Sequence, residues 1–575
     1  MKNRFLFSVK SVSIFHLLFL LFLSFIIFDF SLAYWYKPAK SLLHNYAASA
    51  VSIFIFVALL FLIFVSISLL FKREPAVNLA YSCIVLFPLV LLYLYRIARP
   101  NLPPIFPLTV AAAAQIYFFA VLSKDDRSVK ISAKKERLVL FLLIISYCVF
   151  FSCIGVKKFD AFSLFNAKDF AIYNQTFWNT IHGRFFQNST YGSNFACHNT
   201  PFFWTLVPFY YLAPHPLTLL FLKVLLLALS AIPFYLIAKS ILGAEGSIAA
   251  VLAYMFFPYL IATSIIPPHE ITYAPFFLLF TFYFFVKNRF IPFLAFLLLF
   301  LSIKEHVSLV AITLGIYALF SKKNAKMIIA PMLLGAAWLF ISLFIIGYFQ
   351  KIYAPSTEAA WFIAYLKKSP LSYIFAHSNI SSFFRFSLLF PMFLSLGAVF
   401  PLLSPVSLLG SPEMLINLLS DRPAMLAAPW HYNVVFSCFL VIGALYGIKR
   451  TADARWIKYL CINSGKAKSL LCAFVFSSVL IHSHLWTGQL GYNRDLPHVT
   501  AAKEALSLLP KKAFVTVPRD LAVHVSDRKR YSLIKEGELG EYVLTDQKSR
   551  ASLDENALKD YTLIFRKNGI QIHKR

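Results

Sequence analysis

Charged residues are scarce in this sequence, and acidic residues are the scarcest. Only 14% of its 575 residues are charged, with 25 Asp and Glu against 54 Lys and Arg, whereas 59% are hydrophobic. A soluble globular protein carries about a quarter charged residues to cover its surface. The composition therefore excludes a soluble protein and predicts a polytopic α-helical membrane protein.

Paired cysteines and long basic runs are also lacking. The seven cysteines are scattered and odd in number, without the paired spacing of a metal site, so neither a disulfide framework nor a cysteine metal centre is expected. The basic residues stand in short loops between apolar stretches rather than in a structured polar groove, which excludes a nucleic-acid partner. The excess of basic residues instead indicates which loops lie on the cytoplasmic side of the membrane.

Apolar stretches of about 20 residues, the length that crosses a bilayer as a helix, recur to about residue 488. Because Lys124–Arg137 is the most basic loop, the positive-inside rule places it in the cytoplasm. This predicts about fifteen spans in the cytoplasmic (inner) membrane, with the N-terminus inside and the C-terminus outside. The predicted spans are 12–33, 47–71, 76–95, 105–122, 138–155, 217–241, 247–265, 273–287, 290–303, 306–320, 327–348, 385–403, 405–419, 434–448 and 467–488.

Two polar segments interrupt this pattern. The loop from Val156 to Thr200 is long enough to hold short helices of its own. The tail has ordinary globular composition, with strand-like runs at 513–517, 541–545 and 561–565, and Asn568-Gly569 predicts a hairpin turn. We predict three parts: N-terminal membrane helices over 1–137, a membrane core over 138–488, and a small extracytoplasmic α/β domain over 489–575.

The few acidic residues of the membrane region are candidate functional groups, because charge near hydrocarbon is costly. Eleven of the 25 acids lie between Asp495 and Asp560, which leaves 14 for the first 488 residues. On the predicted topology, several outer acids have histidine neighbours, an arrangement that suits activation of an acceptor hydroxyl or a divalent metal held against a diphosphate. These clusters contain Asp169, His198, His269, Glu270, Lys304, Glu305, His306 and His431.

Structural explanations compete with these roles. A helix cap explains Asp169 as well as catalysis does. Lys304 and Glu305 could form only a neutralising pair at a helix end. The imidazoles of His269 and His306 could be satisfied polar groups rather than ligands.

The loop motifs resemble those of a family of prokaryotic polytopic membrane proteins, domain-of-unknown-function family 2079. The resemblance spans roughly residues 140–550, and the first four spans lie outside it. Its most specific part is Asp169-Phe-Ala-Ile-Tyr-Asn-Gln-Thr-Phe-Trp-Asn-Thr-Ile-His-Gly183 with His198-Asn-Thr-Pro201. Later landmarks are Pro268-His-Glu270, Lys304-Glu-His306, His431-Tyr432 and His524-Val-Ser-Asp-Arg528.

That family is similar in layout to the GT-C glycosyltransferases, which take a sugar from a polyprenyl-phosphate carrier. The resemblance implies a GT-C-like core in which Asp169 deprotonates the acceptor and Glu270 assists or, with Asp169, ligates Mg²⁺ or Mn²⁺. It implies a polyprenyl-phosphate-linked sugar donor and membrane lipids as partners. The implied substrate-binding residues are Gln175, His198, His269, Lys304, Glu305, His306 and His431.

Two other functions remain open. A transporter or lipid flippase would carry its acids inside spans, in discontinuous helices and related halves. A structural or sensory protein that presents the tail would need no shared cavity near Asp169. The leading prediction is a membrane glycosyltransferase that acts on an extracytoplasmic glycan, lipid or protein.

Overall fold

The structure is a computed structural model that describes residues 133–353, 390–396, 399–420, 425, 430–454, 475, 490, 495–549, 553 and 555–575. The predicted spans at 12–33, 47–71, 76–95 and 105–122 lie outside these residues, as does the span at 467–488 apart from residue 475.

Long apolar helices dominate the described chain. Four are long and apolar enough to cross a membrane: Ala133–Asp160, Pro216–Leu242, Ala325–Tyr353 and His431–Ala452. They contain the spans predicted at 138–155, 217–241, 327–348 and 434–448. A fifth candidate, Gly246–Met255 with Pro258–Ile265, is bent by 49° where proline begins the second helix. The total of about fifteen crossings therefore stays a prediction.

The helices of the described chain are numbered here in order. They are α1 Ala133–Asp160, α2 Ala167–Ile181, α3 Phe203–Leu212, α4 Pro216–Leu229, α5 Ala231–Leu242, α6 Ala244–Met255, α7 Pro258–Ile265, α8 Ala274–Val286, α9 Phe290–Leu301, α10 Val307–Phe320, α11 Ala325–Tyr353, α12 Phe390–Ser395, α13 Ser411–Leu419, α14 Val434–Ala452 and α15 Leu496–Leu508.

The predicted spans 273–287, 290–303 and 306–320 correspond to the shorter apolar helices Glu270–Val286, Phe290–Leu301 and Val307–Phe320. The described part of 385–419 is broken into α12, two 3-10 turns at Phe400–Leu403 and Pro405–Gly410, and α13. Prolines at the first turn of these pieces prevent one continuous helix, since proline lacks the backbone donor. Two uninterrupted spans are not observed there.

Glycines let α10 and α11 approach closely. A methyl group at Gly335 would stand 2.6 Å from the Ser308 carbonyl oxygen, and one at Gly315 would stand 2.9 Å from the Ile328 carbonyl oxygen. Small residues at such crossings allow the backbones of membrane helices to pack together. This packing fixes the start of α10, which directly follows His306.

The long polar loop carries helix α2 and a short hairpin, formed by β1 Gln187–Asn188 and β2 Gly192–Ser193 and followed by a 3-10 turn at Asn194–Ala196. The loop therefore holds a helix of its own, as its length suggested. Asn199 at its end donates to the hydroxyl of Ser342 in α11 over 2.9 Å. That bond ties the loop to the helical core.

The tail forms a five-stranded mixed sheet, named here the C-terminal sheet. Its strands are β3 Val515–Val517, β4 Tyr531–Leu533, β5 Tyr542–Asp546, β6 Thr562–Lys567 and β7 Ile570–Lys574, in the order β4-β3-β5-β7-β6. Strand β3 pairs in parallel with β4 and β5, and β7 pairs antiparallel with β5 and β6. Asn568 and Gly569 both have positive φ at the hairpin turn, as this turn requires. The extracytoplasmic position of the sheet stays a prediction.

Candidate functional site

One pocket gathers most of the predicted site residues. It has a volume of about 180 Å³ and is named here the Asp169 pocket. Its walls come from α2, the loop after the hairpin, the turn before α8, the turn between α9 and α10, helix α13 and the residues before α14. Its polar lining includes Asp169, Tyr191, Asn194, His198, His269, Lys304, Glu305, His306, Glu413, Asn417 and His431.

The turn that carries His269 and Glu270 is fixed by sequence and by a buried cation. Helix α7 ends at Ile265, and the following Pro267-Pro268 cannot continue it. The ammonium of Lys223 in α4 contacts three backbone carbonyls there, at 3.1 Å to Thr263, at 2.8 Å to Ser264, and that of Ile266. These contacts satisfy carbonyls that a helix end leaves without partners.

Glu270 is fully buried and lies behind the pocket wall. Lys304 Nζ stands 2.7 Å and His198 Nε2 3.3 Å from its Oε1, while His269 Nδ1 stands 2.6 Å from its Oε2. The hydroxyl of Tyr173 in α2 also donates to Oε2. Glu270 therefore organises the groups that face the pocket, which is what a buried charge with several partners does well.

Glu305 forms the second buried pair. Its Oε1 accepts from His198 Nδ1 at 2.9 Å. Burial alone would raise the pKa of Glu305, but His198 and Lys304 more than offset burial and lower this pKa to about 2. Burial lowers the pKa of His198, whereas Cys197, Glu305 and Glu270 raise it, and the net pKa lies well above 6.5. The His198–Glu305 pair is accordingly ionic at neutral pH.

Two histidines stack at the pocket edge. The rings of His269 and His431 have centroids 3.5 Å apart and an angle of 20° between their planes. Burial lowers the pKa of His269, and Lys304 also lowers it against the opposing effect of Glu270. In the described part of the chain, the buried Nε2 of His431 has no hydrogen-bond partner, which leaves this atom available to a ligand.

Asp169 lies in the first turn of α2. Its Oδ2 accepts from the side-chain amide of Asn166, the residue that precedes the helix with positive φ. The neighbouring Lys168 turns to the tail instead, with Nζ 2.6 Å from Glu536. Among the described residues, no cation pairs with Asp169, in contrast to Glu270 and Glu305. Asp169 therefore stands at the start of a helix and also has a carboxylate that is free of a paired cation in the described chain, so the two explanations of this residue are compatible.

Gln175 lies away from the Asp169 pocket. Its amide nitrogen contacts the Ser189 hydroxyl at 2.8 Å and the carbonyls of Arg528 and Lys529 at 3.0 and 3.2 Å, and its oxygen accepts from the Ser189 backbone. Fully buried, it joins α2 to the hairpin and the tail. The substrate-binding role predicted for it stays a prediction that these contacts do not favour.

Glu413 was not expected from the sequence. Its Oε2 accepts from the Phe436 backbone at 2.6 Å in the first turn of α14, and its Oε1 lies 3.7 Å from His306 Nε2. A carboxylate at a helix N-terminus is stabilised by the helix dipole. The scarcity of acids in the membrane region was the one available sequence signal for Glu413.

The predicted divalent cation finds little support in this donor set. No group of three or more His, Cys, Asp or Glu side chains in the described residues could hold a metal ion. Lys304 and His198 lie against the Oε1 of Glu270, and Glu270 does not line the pocket with Asp169. Cation binding by Asp169 and Glu270 stays a prediction.

Comparisons with known proteins identify the family. The solved structures that resemble this chain include ArnT from Cupriavidus metallidurans bound to undecaprenyl phosphate, with 10% identity and a TM-score of 0.49, and the same protein in the apo state, with 11% and 0.44. Each likeness covers 77% of this chain and 98% of the other. No curated protein matches this chain. A family model described as "Predicted membrane protein (DUF2079)" matches residues 161–571. Because that match covers most of the sequence, the chain is a multi-pass membrane protein that belongs to the DUF2079 family its motifs had indicated.

Proposed function

We propose that this protein is a GT-C-type glycosyltransferase that moves a sugar from a polyprenyl-phosphate-linked donor to a hydroxyl-bearing acceptor. One observation carries the proposal. The carboxylate of Asp169, which has no paired cation among the residues that the structure describes, lines the same pocket as a lysine and four histidines. Such a pocket combines a base for an acceptor with donors for a phosphate.

Asp169 is the general base in this proposal. It takes the proton of the acceptor hydroxyl, and the oxygen attacks the anomeric carbon of the donor. The bond between that carbon and the phosphate oxygen breaks, and the polyprenyl phosphate leaves with the electron pair. Glu270 and Glu305 are less suited to this role because Lys304 and His198 already neutralise them.

Lys304 and the histidines would hold the leaving phosphate. Burial lowers the pKa of Lys304, but Glu270 and Glu305 more than offset burial, so its pKa is raised and its ammonium is kept charged. Charge-assisted donors of this kind stabilise phosphate oxygens. Glu270 is a positioning residue here, since it holds Lys304, His198 and His269 from behind.

The placement of Asp169, Glu270 and Glu305 argues against the competing functions. Glu270 lies in the turn that begins the apolar helix Glu270–Val286, Glu305 lies in a turn between helices, and Asp169 lies in a helix of the polar loop. None of the three lies within the four long apolar helices, whereas the buried Glu413 lies inside α13. A transporter or flippase would hold such groups inside its spans. A protein that only presents its tail has no need of the cavity that Asp169 and Glu305 share.

The test is transfer by the purified full-length protein in lipid nanodiscs. Radiolabelled polyprenyl-phosphate sugars serve as donors, and delipidated envelope extract serves as the source of acceptors. We expect Asp169→Asn to lower transfer about 100-fold or more, the usual effect of losing a general base. The matched control is Asp160→Asn, an exposed acid at the end of α1 outside the pocket, which should transfer normally.

Two results would contradict the proposal. If Asp169→Asn transfers sugar as well as the parent does, Asp169 is not the base. If the parent protein releases no sugar from any polyprenyl-phosphate donor, glycosyl transfer itself is wrong.

A further inference from the structure

A second, larger cavity lies beside the hairpin. It has a volume of about 640 Å³ and opens between the β1–β2 hairpin, strand β4 and Tyr353 at the end of α11. It is named here the hairpin cleft. Its volume falls within the roughly 300–1,000 Å³ of small-molecule sites. Because Thr190 and Gly192 line it while Tyr191 lines the Asp169 pocket, the hairpin turn is the wall between the two cavities.

Amide and hydroxyl side chains dominate the polar lining of the hairpin cleft, at Asn179, Gln187, Asn188, Ser189, Thr190 and Ser532. Four of these side chains, Asn179, Asn188, Ser189 and Ser532, already hydrogen-bond within the protein. Within the described ranges, the half-buried amide of Gln187 and the solvent-exposed ammonium of Lys529 make no hydrogen bond to the protein and are open to a ligand. Amides and ammonium groups supply both the donors and the acceptors that a polyhydroxylated ligand needs.

The aromatic and charged residues of the lining restrict the class of ligand that the cleft can bind. Tyr353 contributes an exposed aromatic ring, on which the C–H face of a sugar ring packs, whereas Tyr531 is buried and Arg530 covers the ring of Phe514. The charges are mixed, because Glu536 and Glu538 accompany the basic residues. A cleft with both signs of charge does not select a polyanion.

The backbone of β4 is not available to an added strand. The Tyr531 backbone donates to the Ser189 hydroxyl at 3.1 Å, and the Leu533 carbonyl accepts from the Glu536 backbone at 2.9 Å. An extended peptide binds a sheet edge through such groups. With these two groups occupied, β4 offers an added strand an interrupted edge, which favours a saccharide held by side chains over a peptide.

We propose that the hairpin cleft is a saccharide-binding site that presents the acceptor to the Asp169 pocket. Its role as the acceptor site rests on the glycosyl transfer proposed above, whereas saccharide binding can be tested alone. An ion pair also joins the lining of the cleft to α2, the helix that carries Asp169. Glu536, in its lining, lies 2.6 Å from Lys168, the residue before Asp169.

The test measures binding to the full-length protein in nanodiscs by saturation-transfer-difference NMR. The probes are three soluble trisaccharides, one of neutral hexoses, one of N-acetylhexosamines and one containing a uronic acid, together with an extended hexapeptide. We expect at least one trisaccharide to bind, and Gln187→Leu and Lys529→Met each to weaken it about tenfold, the effect of one lost hydrogen bond. The controls Gln571→Leu and Lys512→Met change the same residue types outside the cleft and should bind normally.

Each outcome decides the proposal. It is supported if a trisaccharide binds the parent and the two control variants equally but binds the two cleft variants weakly, and this result holds even if transfer is absent. It is overturned if no trisaccharide binds, if only the hexapeptide binds, or if the cleft variants bind as well as their controls. Failure here would leave the transfer assay of Asp169 unaffected, so the two proposals fail separately.

Discussion

Replacing Glu270 by glutamine removes the negative charge that faces the buried ammonium of Lys304. Glu270 is fully buried and Lys304 nearly so, with 2.7 Å between Nζ and Oε1. Glutamine keeps the size of the side chain and an oxygen that accepts from Tyr173. The change therefore isolates the loss of charge from the loss of volume.

Breaking one side of a buried ion pair costs about 3–5 kcal/mol, because the other charge stays in the interior without compensation. For a large chain, each kcal/mol lowers the melting temperature by roughly 2 °C. We expect Glu270→Gln to lower the melting temperature of the purified protein by about 6–10 °C. The exposed ion pair of Glu538 with Arg530 provides the control. Glu538→Gln should change the melting temperature by no more than about 2 °C.

The double variant Glu270→Gln/Lys304→Met makes the prediction sharper. The double variant no longer buries an unpaired ammonium, because Lys304→Met removes that group. It should therefore be more stable than Glu270→Gln alone. Thermal unfolding in one lipid composition compares the single variants Glu270→Gln and Lys304→Met with the double variant. If the double variant loses the sum of the two single losses, Glu270 and Lys304 do not act as a pair, and the positioning role assigned to Glu270 fails.

Three further predictions concern other parts of the chain. The pKa of His198 is raised above 6.5, so its contribution with Glu305 is complete below that pH and is lost as pH rises through the raised pKa. The advantage of the parent over Glu305→Gln in melting temperature should shrink between pH 6 and pH 9, and a constant difference would contradict the pairing. Gly447→Ala would place a methyl group 2.1 Å from a backbone carbonyl and should destabilise by about 1–3 kcal/mol, whereas Gly347→Ala meets no atom within 4 Å and should not. Lys223→Met should lower the melting temperature and reduce sugar transfer, because three buried carbonyls of the turn before Glu270 lose their donor. Unchanged stability and transfer would show that this cation does not hold the turn.

The sequence predicted which residues gather at the Asp169 pocket better than it predicted the role of each residue there. Charge scarcity selected Asp169, Glu270 and Glu305, and the histidines beside them, because each stands in a short polar motif between apolar runs. It could not reveal that Glu270 is buried behind the groups that line the pocket, since burial and partner choice depend on residues far along the chain. Glu413 was missed because its partners, His306 and the backbone of Phe436, come from other elements of the fold.

Local patterns therefore determined most of the apolar helices, the presence of a helix in the polar loop, the tail strands other than Tyr531–Leu533, and the family to which the chain belongs. These features depend on neighbours within a few residues, which periodicity and motif record. Only the tertiary structure decided that Asp169, Lys304 and the histidines share one pocket, and that the tail packs on α2, with Asn174 2.8 Å from Ser526. Contacts between residues hundreds of positions apart arise from packing of whole elements, and a single sequence carries no local signal of that packing.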